Sequence, residues 1–486
     1  MVVEWWGVTP FLAMLLAIAL CPVLAVTAPY WESRRVQLAV ALALGLPVAA
    51  WMWAGGESAA VVHTVWEYTQ FVVLLFSLYV ISGGIALTGN IQATPRTNTA
   101  MLAAGALLAS FIGTTGAAML LIRPLLSTNR ERVHRVHTVL YAIVVVANCG
   151  GLLTPLGDPP LFLGMLRGVP FSWTLGLLPQ WLFVNGLLLF CYHRTDMRLH
   201  ADEPVCAKAR DRDDVTPLRL RGSINLIWLA TVVLAVALLP SMDLSAVEDG
   251  SARAVELLPW RELTMLAAAA LSYGLTDRGT RYIRNQFTWS PIAEVAVLFF
   301  GIFLTMMPAL KFLSQIAPRL PLNAMSFFLF TGSLSAVLDN APTYATFFEI
   351  ARQLPGEPRV ADVPETSLVA ISLGAVLCGA LTYIGNGPNF MVRSVAQADG
   401  VPMPSFARYV QWSVGHLGPV LIAMALIFIA SHTWAAVAGW LLTAAIVARA
   451  TWQSPTARSR MLPDGAAESA HSASARRRRT RPASGR

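Results

Sequence analysis

The chain has 486 residues, 56% of them hydrophobic and 13% charged, with a mean hydropathy of +0.58. Ordinary soluble domains carry roughly 25% charged residues, so the composition excludes a soluble enzyme and points to a polytopic membrane protein. The net charge of +8 is no nucleic-acid signal, because much of it lies in a C-terminal "ARRRRTRPASGR" after a Ser/Ala/Gly-rich stretch, which reads as a disordered basic tail on the cytoplasmic side.

A span needs about 20 apolar residues, since roughly 30 Å of hydrocarbon is crossed at about 1.5 Å per helical residue. The N-terminal "MVVEWWGVTPFLAML" has no basic segment before its apolar run. It reads as a retained first span with Trp5 and Trp6 at the interface rather than a cleaved signal. Spans are predicted at 8–26, 36–54, 67–88, 138–165, 173–192, 222–240, 261–276, 289–311, 366–393, 409–430 and 434–451. They should be helices, because backbone polar groups in lipid must be satisfied internally. Two further runs, 99–126 and 324–351, are broken in the middle by "GTTG" at Gly113–Gly116 and "DNAP" at Asp339–Pro342. Each could cross once or turn back as a re-entrant hairpin.

Loop charge separates these options. With two hairpins and a cytoplasmic C-terminus, the loops 127–137, 193–221 and 277–286 lie in the cytoplasm and carry 13 Lys/Arg, against four in the opposite loops. Two simple crossings would invert this block, against the positive-inside rule. The expected fold class is therefore an all-α polytopic membrane protein of about eleven transmembrane helices plus two re-entrant hairpins. The predicted organisation is N-terminal spans at 1–60, a first repeat at 61–195, a cytoplasmic loop and linking spans at 196–285, a second repeat at 286–430, a last span at 431–451 and the tail at 452–486.

The repeats rest on an internal match. "GLLTPLGDPPLF" at 151–162 aligns with "GALTYIGNGPNF" at 379–390, with six of twelve positions identical. The two copies are expected to run in opposite directions, each downstream of a hairpin and of a similar aromatic-rich span, Glu67–Val80 and Glu294–Met306. This is an inverted-topology repeat, the plan of many secondary transporters.

Helix-breaking backbone at membrane depth is tolerated only where protein or a water-filled cavity covers it. Freed carbonyls suit a small cation, and half-helix N-termini suit an anion. Asp158 adds a charged oxygen in "TPLGDPP", and Asp339 adds one in "LDNAPTY". If each tip sits against the broken helix of its own half, two sites result. The first combines Gly113, Thr114, Thr115, Gly116, Asn148, Thr154 and Asp158; the second combines Asp339, Asn340, Thr343, Thr382 and Asn386. Hard oxygen ligands of this kind suit Na⁺ or H⁺, with Asp158 and Asp339 as the metal ligands.

Blander readings stand beside these. "GDPP" could be a plain turn, and Asp339 a helix cap. Glu67, Glu294 and Glu349 read as interfacial or hairpin-end residues, and Arg123 and Lys311 as snorkelling side chains. His63, His134, His137 and His416 have no ligand spacing. The five cysteines, Cys21, Cys149, Cys191, Cys206 and Cys378, read mostly as buried small hydrophobes. No Walker motif is present, which argues against an ATP-driven pump on this chain.

The stretches "ANCGGLLTPLGDPPLFLGMLRGVPF", "GTTGAAMLLIRPLL" and "SAVLDNAPTYATF" resemble the ion transporter superfamily over roughly 60–430. Within it they are similar to bacterial citrate transporters and sodium:proton antiporters. The resemblance implies a homodimer, elevator-type alternating access and a multi-pass protein of the bacterial inner membrane. The dicarboxylate branch carries Ser-Asn-Thr at both tips. Here the tips read "GTTG" and "DNAPT", closer to the D-type antiporters. The leading expectation is a non-enzymatic Na⁺/H⁺ (or Li⁺/H⁺) antiporter with no cofactor, exchanging ions at Asp158 and Asp339. The alternative is cation-coupled transport of citrate or another organic anion, held by helix N-termini and the hydroxyls of Thr114, Thr115 and Thr343. A passive channel, or an oxyanion permease working with a separate ATPase, is a third.

Overall fold

The structure is a computed structural model and describes residues 2–22, 24, 26–31, 33–248, 257–319 and 321–452. The basic stretch expected beyond Trp452 lies outside the described residues. The chain opens with α1 (Thr9–Leu20), α2 (Arg34–Ala54) and α3 (Ser58–Ser82), followed by β1 (Ala86–Asn90). Two helices with one residue between them come next, α4 (Pro95–Ile112) and α5 (Thr114–Thr128). Then follow α6 (Val136–Tyr141), α7 (Pro159–Leu166), α8 (Leu178–Ala201), α9 (Val205–Asp213), β2 (Thr216–Arg221), α10 (Ile224–Leu238) and α11 (Trp260–Leu275). The second part repeats this logic with α12 (Ser290–Ile316), α13 (Ala324–Val337), α14 (Asn340–Arg352), α15 (Glu365–Cys378) and α16 (Gly387–Ala398). It closes with α17 (Phe406–His416), α18 (Gly418–Phe428) and α19 (Thr433–Trp452).

Among the described residues, six helical stretches are long and apolar enough to cross a membrane: 34–54, 58–82, 171–201, 290–319, 406–428 and 433–452. Five shorter apolar stretches accompany them. The protein is therefore a mostly helical, multi-pass membrane protein. Three expectations need correction. The predicted span at 261–276 is α11, a helix of 16 residues, short for a full crossing. The loop 193–221 is largely ordered, because α8 runs on to Ala201 and α9 follows it. The class is not purely α, since β1 pairs antiparallel with β2 in register Ala86↔Arg221, and two residues at 359–360 pair with 363–364. The alternation Leu218-Arg219-Leu220-Arg221 carries the period-two strand pattern, hidden inside what reads as a charged loop.

The two aromatic-rich spans meet face to face. Phe71 of α3 stacks on Phe299 of α12 with centroids 4.8 Å apart, and Phe303 and Tyr68 close around them. The Tyr68 hydroxyl donates to the Ala296 carbonyl at 2.8 Å. In lipid such contacts act through close packing and interhelical hydrogen bonds, and together they anchor α3 and α12 to each other. On the other side of the seam lie the broken elements. α12 packs on α14, α14 on α7 and α15, and α16 on α5.

The two broken crossings follow one plan. The first runs from α6 through a π turn at Ala142–Val146 and a 3₁₀ turn at Cys149–Leu152, then restarts at α7. The second runs from α15 through a 3₁₀ turn at Gly379–Leu381 and restarts at α16. Pro159 and Pro388 sit in the opening turns of the restarted helices, where the missing N–H costs nothing and the fixed φ favours helix. The chain folds back so tightly that a Cβ on Gly157 would lie 2.1 Å from the Gly151 carbonyl oxygen.

Candidate functional site

The helix–break–helix pairs dock their breaks onto the broken crossings. In the first, the break is Gly113 alone, at φ +79°, while Thr114, Thr115 and Gly116 already open α5. A positive φ is easy only for glycine. In the second, Leu338 and Asp339 form the break, and Asn340 opens α14.

Matching hydroxyls staple each break in place. Ser110 donates to the Gly150 carbonyl at 2.5 Å, and Thr154 donates to the Ser110 carbonyl. In the other half, Ser335 donates to Ala375 O at 2.7 Å and Thr382 to Ala336 O at 2.5 Å. Thr154 and Thr382, expected as ion ligands, have their protons committed to this stapling. Ser110 and Ser335 were not singled out from sequence. Their signal was their position just before each break, on the face turned to the broken crossing.

The centre of the arrangement is Asp158, 1% exposed. Its Oδ1 accepts from the Thr114 hydroxyl at 3.1 Å and from Asn386 Nδ2 at 3.2 Å. Its Oδ2 accepts from Asn340 Nδ2 at 2.6 Å. The expected grouping by halves is thus corrected for two residues. Asn340 and Asn386, assigned to the second half, both turn to the carboxylate of the first. Burying a carboxylate costs several kcal/mol unless hydrogen bonds compensate, and these three donors come from three different elements. The restart of α7 at Pro159 adds a helix N-terminus beside the charge.

Asn148 joins the cluster indirectly. Its Oδ1 accepts from Asn386 at 3.2 Å, and its Nδ2 donates to Asn389 Oδ1 at 2.6 Å. Asn389 in turn donates to the Gly379 and Thr382 carbonyls, both at 2.9 Å. Asn389 was missed because its repeat partner is the apolar Leu161. One polar atom in the cluster stands out: Asn340 Oδ1 is buried without a hydrogen-bond partner among the described residues. An orphaned buried oxygen beside a carboxylate is a vacant acceptor for a cation or a water.

Among the described residues, Asp339 makes no side-chain hydrogen bond to this cluster. It is half-buried and caps α14, accepting from Ala341 N at 3.2 Å. Thr343 donates to the Asp339 carbonyl at 3.0 Å rather than to Asp158. A cavity of about 660 Å³ adjoins the site, lined in part by Thr114, Thr115, Gly116, Asp339 and Asn386. Gly113 offers no side-chain cap to α5; the Thr114 N–H donates instead to the Gly157 carbonyl at 2.8 Å, and Thr115 and Gly116, next in the first turn, line the cavity.

Residues read as incidental are partly engaged. Glu67 pairs with Arg167 at 2.9 Å, and Arg167 also donates to the Ala345 carbonyl at 3.1 Å, joining α3 to α14. Glu294 lines the cavity and accepts from Gln37 at 3.2 Å. Lys311 pairs with Glu57 rather than snorkelling freely. His137 meets Asp196 Oδ1 at 2.8 Å, in a buried cluster with Arg132 and Asn98. Cys206 is exposed on α9, unlike the buried Cys149 and Cys378.

Residues 1–429 match the family described as "Putative citrate transport". Curated relatives include an uncharacterized transporter of Mycobacterium bovis and one of Mycobacterium tuberculosis. Each is 24% identical over 341 residues, covering 67% of this chain and 74% of the relative.

Proposed function

The chain belongs to this citrate-transport family, and on that premise we propose that it is a secondary active transporter of a small organic anion of the citrate type, coupled to Na⁺, Li⁺ or H⁺. The observation that carries the coupling is the single buried carboxylate of Asp158, ringed by Thr114, Asn340 and Asn386. With the orphaned Asn340 Oδ1 beside it, the cluster offers hard oxygens suited to a small cation or a proton. The anion takes the cavity of about 660 Å³, far roomier than a bare ion needs, with Thr115 and Gly116 of the first turn of α5, which has no side-chain cap, along its lining. Filling the cation site offsets the charge of Asp158 and favours entry of the anion, which is the coupling.

In this reading 61–195 and 286–430 are the inverted repeats, and 99–126 and 324–351 are re-entrant hairpins. Ser290, which lines the cavity, lies four positions beyond the end of the arginine-bearing loop 277–286. On the positive-inside rule the cavity then opens to the cytoplasm. A homodimer in a bacterial inner membrane, with a cytoplasmic C-terminus, rests on the resemblance and the loop charges.

One observation favours a second reading, Na⁺/H⁺ antiport at Asp158 and Asp339: the cavity lining holds the two carboxylates Asp339 and Glu294. Purified protein in liposomes separates the two. The first reading expects labelled citrate to accumulate when a Na⁺ or proton gradient is imposed. No citrate movement, together with Na⁺-driven dissipation of a pH gradient, would replace it with the second.

A further inference from the structure

We infer that Arg393 selects the transported anion by binding a carboxylate group at the far end of the cavity, so that the substrate carries at least two carboxylates. The inference rests on the organic-anion reading above. Arg393 lines the cavity together with Phe390 of the same helix, α16, and with Asn386, the extended residue just before that helix begins. Phe390 and Arg393, three residues apart, share one helix face. Asn386 holds Asp158 at the deep end. Arg393 is seven residues on, which is about 10 Å along the axis at about 1.5 Å per residue.

The guanidinium is held by aromatic faces and, among the described residues, by no carboxylate. Its central carbon sits 4.6 Å from the Tyr383 ring centroid and 5.9 Å from that of Phe390. Tyr383 is fixed by stacking on Tyr409 at 4.0 Å. The Nε atom is buried and has no hydrogen-bond partner among the described residues. The carboxylates of the neighbourhood are engaged elsewhere. Asp399, just past the end of the same helix, pairs with Arg135 at 3.4 Å. Asp339 caps α14, and Glu294 accepts from Gln37.

A planar, permanently charged fork held by stacking, with its donors unspent, is built for a carboxylate. A monocarboxylate can occupy either the first turn of α5 at Thr115 and Gly116, which line the cavity, or Arg393. A di- or tricarboxylate can engage both. Arg393 is therefore a substrate-contacting, specificity-determining residue distinct from the coupling carboxylate.

Full-length protein in liposomes tests this through uptake of labelled citrate at fixed pH and Na⁺. Loss of a charge-assisted contact should raise the KM of Arg393→Gln by about 10- to 100-fold with kcat little changed, and Arg393→Lys should recover part of that loss. On the wild type, an unlabelled dicarboxylate should compete at least about 10-fold better than the monocarboxylate of the same chain length. A wild-type KM in Arg393→Gln, or equal competition by the two acids, overturns the role of Arg393 while leaving citrate transport standing. If both variants fail to fold, the competition series on the wild type decides alone. A wild type that moves no organic anion overturns the underlying reading and this inference with it.

Discussion

The two broken crossings share a backbone and differ in charge. Each restarts its helix at a proline after a tight glycine fold, and each is stapled to its break by one serine and one threonine. Yet the first carries Asp158 where the second carries Asn386, and the amide donates to the carboxylate at 3.2 Å. Duplicated architecture supplies a pocket with two equivalent positions. Charging only one of them turns the other into its support, whereas two buried carboxylates at this range would repel. The breaks differ in the same spirit. Asp339 caps its own helix with a side chain, while α5 has no side-chain cap and its Thr114 N–H donates to the Gly157 carbonyl at 2.8 Å. One half provides the acid; the other provides amide donors and a side-chain cap.

Changes that erase the asymmetry should cost most. Asn386→Asp puts a second carboxylate against Asp158, and we expect uptake to vanish and the detergent-solubilised protein to lose about 3 kcal/mol of stability. An uptake assay and a thermal melt read this out. An active, equally stable variant would mean that the two positions do not face each other.

Removing one donor should weaken the site without destroying it. Asn340→Ala and Thr114→Ala each delete a hydrogen bond to a charged group, worth about 1.5–3 kcal/mol. We expect about 10- to 100-fold weaker cation dependence of uptake in each. The Asn340 variant should be the more affected, because its bond is the shorter at 2.6 Å against 3.1 Å. Equal cation titrations in both variants and the wild type would break the donor assignment.

At the breaks the effects should be smaller still. Gly113→Ala forces a Cβ into positive φ and should cost about 1–2 kcal/mol, seen as a lower melting temperature. Asp339→Ala removes a cap and should cost about 1 kcal/mol while leaving the cation dependence of uptake near the wild type. A loss of cation dependence in Asp339→Ala as large as that in Asn340→Ala would return Asp339 to the ion site.

Much of this was readable from sequence because it depends on local chemistry. Glycines and prolines at membrane depth marked the broken crossings, and "GTTG" and "DNAP" marked the breaks. The pairing of Thr114 with Asp158 followed from docking a break onto its own half. What was not readable was the meeting of the halves. Aligning two repeats says which positions are equivalent, not that Asn340 and Asn386 reach across to Asp158. Asn389 and Arg393 lacked a polar counterpart in the other repeat, so comparison of the repeats passed over them. The β1–β2 ribbon was masked because its paired residues lie 126 to 135 positions apart, Asn90 facing Thr216 at one limit and Ala86 facing Arg221 at the other.

The central claim is that Asp158 is where the coupling cation or proton binds. Its most direct test is the melting temperature of purified wild-type protein and Asp158→Asn, titrated with Na⁺, with Li⁺ and with acid. A ligand that binds the folded state raises stability as its concentration passes the dissociation constant. The account predicts that the wild type responds to at least one of the three and that Asp158→Asn, still folded, has lost that response. The same response in both proteins would contradict it.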